Sequence, residues 1–374
     1  MDEPGVTAQE RQDRRYMAAA LRLSRRNAGR TSTNPAVGTI IVRDDGAGPM
    51  IVGTGITAIG GRPHAETEAL AQAGELARGA TAYVTLEPCA HHGRTPPCAS
   101  ALVTAGIARV VGAASDPDTR VSGKGYAILR EAGIEVIERL LSAEASEQMA
   151  GYLIRSLNKR PEVILKIAIS ADRKIGTVGQ GQIAITGEAA RREVHLMRAE
   201  ADAVLIGIGT AMEDDPALTV RLPGLENRSP ARIVLDREIR LPESSKLVAG
   251  ADRIPLYIAA DPLADQHKKA ALERRGVRFI GTEAYGGRIA LPELMEDLAA
   301  LGMASVLVEG GAAVARAFLD DGLVDRIVLF HGPGEIGPAG IATPIDPDHI
   351  PPGFRKLREM RLGEDSYAEW ARDF

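Results

Sequence analysis

Short β-branched and aliphatic runs alternate with Ala-, Leu- and Glu-rich stretches along most of the chain, and this alternation constrains the fold more than any other feature. In the first half "VGTIIVRD", "TAYVTLE" and "ARVVGAA" read as strands, because branched and aromatic side chains fit a pleated, half-buried surface. "RYMAAALRLSRR", "HAETEALAQAGELA", "CASALVTAG" and "GYAILREAG" have helical composition, and "IEVIERL" closes the run. Strands alternating with helices imply an α/β layer sandwich with a largely parallel sheet. A second α/β pattern starts at "VILKIAIS" and continues through "DAVLIGIG", "ARIVLD", "IPLYIAA", "VRFIG", "ASVLVEGG" and "DRIVLFHG". The helical, then charged segment "AEASEQMAGYLIRSLNKRPE" separates the two patterns, and no internal repeat relates them. A chain of 374 residues exceeds what one core usually organises, so two different domains are expected, residues 1–150 and 160–374.

Composition narrows the function classes. A formal charge of −5 and only 3% aromatics oppose nucleic-acid binding, which draws on basic surface and stacking side chains. The N-terminal stretch is charged throughout and lacks the apolar segment of a signal peptide. The longest apolar candidate, "ALVTAGIARVVGAA", is interrupted by Arg109 and falls short of the ~18 residues of a membrane span. Two cysteines exclude a disulfide scaffold, and the chain reads as cytoplasmic.

Both cysteines, Cys89 and Cys98, lie in one loop, "LEPCAHHGRTPPC", downstream of a His-Ala-Glu at residues 64–66. Pro, Gly and polar neighbours make that loop poor core material. Zinc takes thiolate and imidazole ligands, and a catalytic zinc keeps three protein ligands with a fourth position open. His64, Cys89 and Cys98 supply such a set. Glu66 follows closely enough to reach the open position without being a ligand. Cys89 would follow the "TAYVTLE" strand, where ligand sites collect in open α/β sheets, and Cys98 would open a helix, whose N-terminus favours thiolate. A structural zinc with His91 or His92 as fourth ligand is the other reading, and it leaves Glu66 without a task. The order H-x-E, then P-C, then a second Cys follows the zinc deaminases, although the spacing here is C-x8-C rather than C-x2-C.

"NPAVG", "HAE", "TLEPCAHHGRTPPC" and "SDPD" together resemble the deaminase half of the bifunctional riboflavin biosynthesis family, in which a diaminohydroxyphosphoribosylaminopyrimidine deaminase is joined to a 5-amino-6-(5-phosphoribosylamino)uracil reductase. The resemblance implies a cytidine-deaminase-like α/β/α layer domain with one Zn2+ per chain and Glu66 as acid/base catalyst. It also implies that Asn34 holds the pyrimidine, Arg94 faces the substrate phosphate and Asp116 lines the pocket.

In the second half neither a G-x-G-x-x-G nor a Walker A sequence occurs. A strand does end in Glu309, followed by Gly310, Gly311 and a helix, a place where backbone N–H groups can meet a phosphate. "LKIAIS", "LMRAEADAVLIGIGTAMEDDPALTVR" and "LVEGG" resemble the reductase half of the same family. That resemblance implies a dihydrofolate-reductase-like α/β domain that uses NADPH to turn a ribosyl into a ribityl side chain. It makes Lys166 and Asp214 catalytic and places Arg198, Leu218, Arg221 and Glu309 at the substrate. Ala168, Thr210, Asp214 and the run Gly311, Ala312, Ala313, Val314, Ala315, Arg316 and Ala317 would meet NADPH. From residues alone, Asp214 also suits a helix or turn cap within "EDDP".

The chain departs from the family at several positions: Thr57 for a histidine, Asp118 for an asparagine, Ala171 and Arg173 in place of Leu and Gly in S-L-D-G, and Ala184 for a tryptophan. The alternatives are a deaminase with a weakened or inactive reductase, a nucleoside or tRNA deaminase, and a zinc-stapled binding module without catalysis. Expected partners are small phosphoribosyl pyrimidines, with neither nucleic acid nor membrane, in a homo-oligomer.

Overall fold

The structure is a computed structural model and describes residues 7–91, 96–117, 122–179, 181–285 and 287–372. The chain divides into two compact units between Lys159 and Arg160.

The first unit is one sheet of five strands: β1 (Gly38–Arg43), β2 (Met50–Ile56), β3 (Thr81–Leu86), β4 (Arg109–Ala114) and β5 (Glu135–Ile137). Their order is β2-β1-β3-β4-β5. The helices are α1 (Ala8–Ser24), α2 (Ala65–Ala73), α3 (Cys98–Thr104), α4 (Lys124–Glu131), α5 (Ser142–Gln148) and α6 (Ala150–Asn158). A capping box at Thr7 and Glu10 starts α1. The sheet is mixed, not largely parallel: β3, β4 and β5 are parallel, while β1 runs antiparallel to both β2 and β3. The difference comes from β2, which sequence patterning does not reveal because Gly53 and Gly55 interrupt it. Those glycines are needed by packing. A Cβ on Gly53 would lie 2.3 Å from the Ala69 carbonyl oxygen, and one on Gly55 would lie 2.0 Å from that of Ala65. The small face of α2, Ala65, Ala69 and Ala73, thus rests directly on the β2 backbone.

The second unit is built on a sheet of nine strands in the order β10-β9-β8-β7-β13-β6-β14-β16-β15. In chain order its strands are β6 (Glu162–Ile169), β7 (Ala203–Gly207), β8 (Ala231–Leu235), β9 (Leu256–Ala260), β10 (Arg278–Gly281), the small pair β11 (Ala284–Tyr285) and β12 (Arg288–Ile289), β13 (Ser305–Val308), β14 (Arg326–His331), β15 (Phe354–Leu362) and β16 (Asp365–Arg372). The helices are α7 (Glu188–Glu200), α8 (Ile208–Asp214), α9 (Lys246–Ala249), α10 (Gln266–Glu273), α11 (Leu291–Ala300) and α12 (Ala312–Asp320). In the nine-stranded sheet, β10, β9, β8, β7, β13, β6 and β14 are mutually parallel, and their near-continuous apolar runs are those of strands covered on both faces. The C-terminal β15–β16 hairpin adds antiparallel to β14. It escapes sequence patterning because charged residues dominate it. Glu369 on β16 receives Arg326 at 2.5 Å and also pairs with Arg358. Among the described residues no helix is long and apolar enough to cross a membrane.

Candidate active sites

In the first unit, loops and helix starts at the ends of strands deliver the chemistry. His64 is the N-cap of α2, Glu66 lies in that helix's first turn, Cys89 follows β3 and Cys98 is the first residue of α3. The ligand atoms of His64, Cys89 and Cys98 all lie within 4.8 Å of one another, a set that could hold a metal ion. His64 Nδ1 stands 3.4 Å from Cys98 Sγ and 3.8 Å from Cys89 Sγ. The Cys98 backbone N–H donates to Cys89 Sγ at 3.3 Å. One imidazole nitrogen and two sulfurs, with a helix N-terminus supporting one of them, is a donor set that fits zinc. Cys89 is drawn down to about 4, first by its hydrogen bond with Cys98, and Cys98 is pushed up, first by Cys89. A dication held there would favour both sulfurs as thiolates. His91 is not part of the group; its Nδ1 is buried with no hydrogen-bond partner, and His92 lies outside the described residues.

Glu66 is 4% exposed, and burial followed by the Cys89 charge raises its carboxyl to about 7. His64, Glu66 and Cys89 open onto a cavity of about 320 Å³, which Asn34, Thr57, His91 and Asp116 also line. Asn34 is fixed by donating to the Gly61 carbonyl at 3.2 Å, while Thr31 Oγ1 donates to the Asn34 carbonyl at 2.7 Å. Asp116, which follows β4, accepts from the Tyr152 hydroxyl at 3.0 Å. Thr57 belongs to the wall, since its hydroxyl accepts the Val37 N–H at 3.0 Å. Glu87 sets the rim: its carboxylate caps α4 by accepting the Gly123 and Gly125 N–H groups, each at 3.1 Å. Arg94 and Asp118 lie outside the described residues.

In the second unit Lys166 sits on β6, and Glu309 directly follows the adjacent strand β13. The Glu309 side chain is 8% exposed and is gripped at two points by Arg198 of α7, at 2.6 and 3.0 Å. Lys166 Nζ lies 3.8 Å from the same carboxylate. Burial alone would raise Glu309, but the Arg198 and Lys166 cations overcome it and hold the carboxyl below its ordinary value. Burial pulls Lys166 down, with Glu309 opposing. The third Arg198 nitrogen donates to the Thr219 carbonyl at 3.2 Å, and the Arg221 N–H donates to His195 Nδ1 at 3.4 Å. The loop carrying Leu218 and Arg221 is thereby tied to α7. Leu218 is buried at φ 54°. His195 is a member of this cluster that motif reading did not single out; its i,i+3 spacing to Arg198 was the available signal.

Asp214 ends α8, and its carboxyl is raised by burial and then by Glu213. The capping contact belongs to its neighbour: Asp215 accepts the Lys246 N–H at 2.9 Å. Thr210 Oγ1 accepts the Gly311 N–H at 3.2 Å, just before residues 312–317 open α12. Gly207 and Gly310 serve packing, because a Cβ on either would come within 2.7 Å of Val314. Ala168 lies two residues beyond Lys166 on β6, hence on the same face, opposite Phe330 of β14. Arg173 adopts φ 61°, the left-handed backbone a glycine favours, and its half-exposed guanidinium pairs with Asp346 at 3.3 Å and with Asp348. Asp172 accepts the Ile336 and Gly337 N–H groups at 3.0 and 2.7 Å, so the turn is stitched to the loop after β14. Ala184 is exposed.

Residues 10–114 match the family described as cytidine and deoxycytidylate deaminase zinc-binding region, and residues 161–366 match the RibD C-terminal domain. The chain is 39% identical over 359 residues to the riboflavin biosynthesis protein RibD of Aquifex aeolicus, covering 94% of this chain and 96% of that one. It is 39% identical over 337 residues to RibD of Escherichia coli, covering 87% and 89%. Among solved structures, Acinetobacter baumannii RibD superposes with a TM-score of 0.83 at 36% identity, covering 98% of this chain and all of that one. The Thermotoga maritima diaminohydroxyphosphoribosylaminopyrimidine deaminase/5-amino-6-(5-phosphoribosylamino)uracil reductase superposes with the same TM-score at 30% identity and the same coverage.

Proposed function

Because the chain belongs to the RibD family of bifunctional deaminase–reductases of riboflavin biosynthesis, we propose the following division of the two reactions among its own residues. His64, Cys89 and Cys98 hold one zinc ion, which supplies the Lewis acidity that makes water a nucleophile at neutral pH. Asn34 and Asp116 orient the pyrimidine in the cavity they line. Glu66, buried in the cavity wall, shuttles two protons in turn: one from the attacking water to the ring nitrogen, and a second from the hydroxyl so formed to the departing amine. The bond from the ring carbon to its exocyclic amine breaks, a ring carbonyl forms and ammonia leaves.

In the second unit NADPH, when bound, would supply the hydride for conversion of the ribosyl into the ribityl chain. Thr210 and the first turns of α12 hold the cofactor beside Ala168. Glu309 and Arg198 form a rigid charged floor, and Arg221 and Leu218 close on the substrate from the loop that α7 anchors. Lys166, whose ammonium burial makes more acidic, polarises the sugar oxygen. Asp214, with its raised carboxyl, delivers the proton.

One observation carries the deaminase assignment: His64, Cys89 and Cys98 cluster as zinc-type donors, and two of them, His64 and Cys89, border one cavity together with the buried Glu66. The test is absorbance of the purified protein with the diaminopyrimidine substrate, with and without NADPH. Deamination should need no NADPH, and NADPH oxidation should need the deaminated product. NADPH oxidation that never depends on a pyrimidine sinks the reductase reading.

A further inference from the structure

Helix α6 contributes a wall to the deaminase cavity that no motif marks. Tyr152, Arg155 and Ser156 fall at i, i+3 and i+4, so they share one face of the helix, and all three line the cavity bordered by His64, Glu66 and Cys89. The other side of α6 is anchored in the core through Ile154, which is 2% exposed. The helix therefore presents its polar face to the cavity from a fixed position.

The charges around that cavity are unevenly placed. Glu66, Glu87 and Asp116 are its acids, and Arg62 and Arg155 are its described arginines. Arg62 stands two residues ahead of His64 in sequence and borders the His64 side of the lining. Arg155 and Ser156 both reach the cavity from α6, while Tyr152 on the same helix donates to Asp116 at 3.0 Å. A guanidinium fork next to a hydroxyl suits a phosphate, which takes parallel N–H donors and a further hydrogen bond. We propose that Arg155 is a specificity residue of the deaminase: it binds the phosphate of the ribosyl phosphate attached to the pyrimidine, with Ser156 as a second donor, and Tyr152 sets Asp116 against the ring. This rests on the deaminase reading above and deepens it, by making α6 the element that distinguishes a phosphorylated substrate from a bare nucleoside-like one.

The test uses the full zinc-loaded chain and two substrates, the phosphoribosyl diaminopyrimidine and its dephosphorylated ribosyl counterpart. The parent should prefer the phosphorylated compound. Arg155→Ala should lower kcat/KM for it by about 10²-fold, mainly through KM, and by no more than a few-fold for the dephosphorylated one, the scale of a lost charge-assisted contact. Arg155→Lys should recover part of the preference. Inorganic phosphate should inhibit the parent competitively and the Arg155→Ala variant far less. Equal losses on both substrates would show a structural role and overturn the proposal, as would an unchanged preference in Arg155→Ala with the whole preference lost in Arg94→Ala. Zinc content reports folding of each variant, with Arg155→Gln as a milder replacement. A parent that retains zinc but deaminates neither substrate overturns the deaminase reading itself, and the Arg155 assignment with it.

Discussion

The metal-type donors of the first unit and Glu66 come from the single stretch between His64 and Cys98, whereas the charged cluster of the second joins Lys166, Arg198 and Glu309 from different strands and helices. The two sites also differ in how buried charge is satisfied. In the second, Glu309 already pairs with Arg198 and Lys166, so the cluster is complete within the protein. In the first, two sulfurs and an imidazole crowd together as a group that could hold a metal ion from outside. One site should therefore be lost with its metal, and the other only when a partner inside the chain is removed.

The sharpest break of this comparison is the double Cys89→Ser, Cys98→Ser variant. Zinc, measured by metal analysis, should fall from about one per chain to none and deamination should vanish, while NADPH-dependent reduction of supplied intermediate continues. Zinc retained in full would end the metal assignment. Next in size is Glu66→Gln, which should keep zinc and fold but slow deamination by about 10²–10⁴, the usual worth of a proton shuttle; turnover within a few-fold of the parent removes Glu66 as the acid/base.

On the other side, Glu309→Gln leaves the Lys166 and Arg198 charges facing a neutral amide. Breaking a buried pair from one side costs about 3–5 kcal/mol, so denaturant unfolding of the second unit should shift by that order and reduction should fall, with zinc content unchanged. A stability change under 1 kcal/mol would mean that the cluster is not self-contained. Lys166→Ala should abolish reduction and spare deamination, and Asp214→Asn should impair reduction alone.

The smallest effects belong to the turn at residues 170–174. The Asp172 carboxyl is held down at about 2, first by the Ser170 hydroxyl and then by the Ile336 and Gly337 N–H groups. A depressed folded-state value gives stability that is present above the unfolded value of about 3.9 and is lost as pH falls through about 2. The Tm difference between the parent and Asp172→Asn should therefore be widest near neutrality and shrink as pH approaches 2; a constant difference would exclude the charge as its source. Arg173→Gly relieves a left-handed backbone and gives up two exposed ion pairs, so its stability should stay within about 1 kcal/mol of the parent. Reductase kinetics of that variant combined with Ala171→Leu show whether this departure matters to the cofactor.

How much of each site could be read in sequence follows from the same contrast. The zinc set was legible because its residue types are rare in this chain and sit close together. The Lys166–Glu309–Arg198 cluster carries no local signature, and only the family resemblance brought its members into view; His195, which completes it, was missed. Tyr152, Arg155 and Ser156 were hidden for another reason: an amphipathic helix near a domain junction looks like ordinary surface until its polar face is seen on a cavity. In the fold, β15 and β16 were masked by charges that pair across the sheet, and β2 by two glycines that look like strand breakers.

Those two glycines also bear on how the protein tolerates mutation. Neither Gly53 nor Gly55 lines the cavity, yet α2, which holds His64 and Glu66 at its start, lies so close to their bare backbone that a Cβ on either would sit 2.0–2.3 Å from a helix carbonyl oxygen. Alanine at 55 would push on the start of that helix at Ala65 and alanine at 53 on its later part at Ala69 and Ala73, and either displacement should shift the imidazole relative to the two sulfurs. In a library of all single substitutions scored by growth without added riboflavin, both positions should be as intolerant as Cys89. A reader of that library with no view of the backbone would mark two residues as catalytic that serve only as a bearing surface.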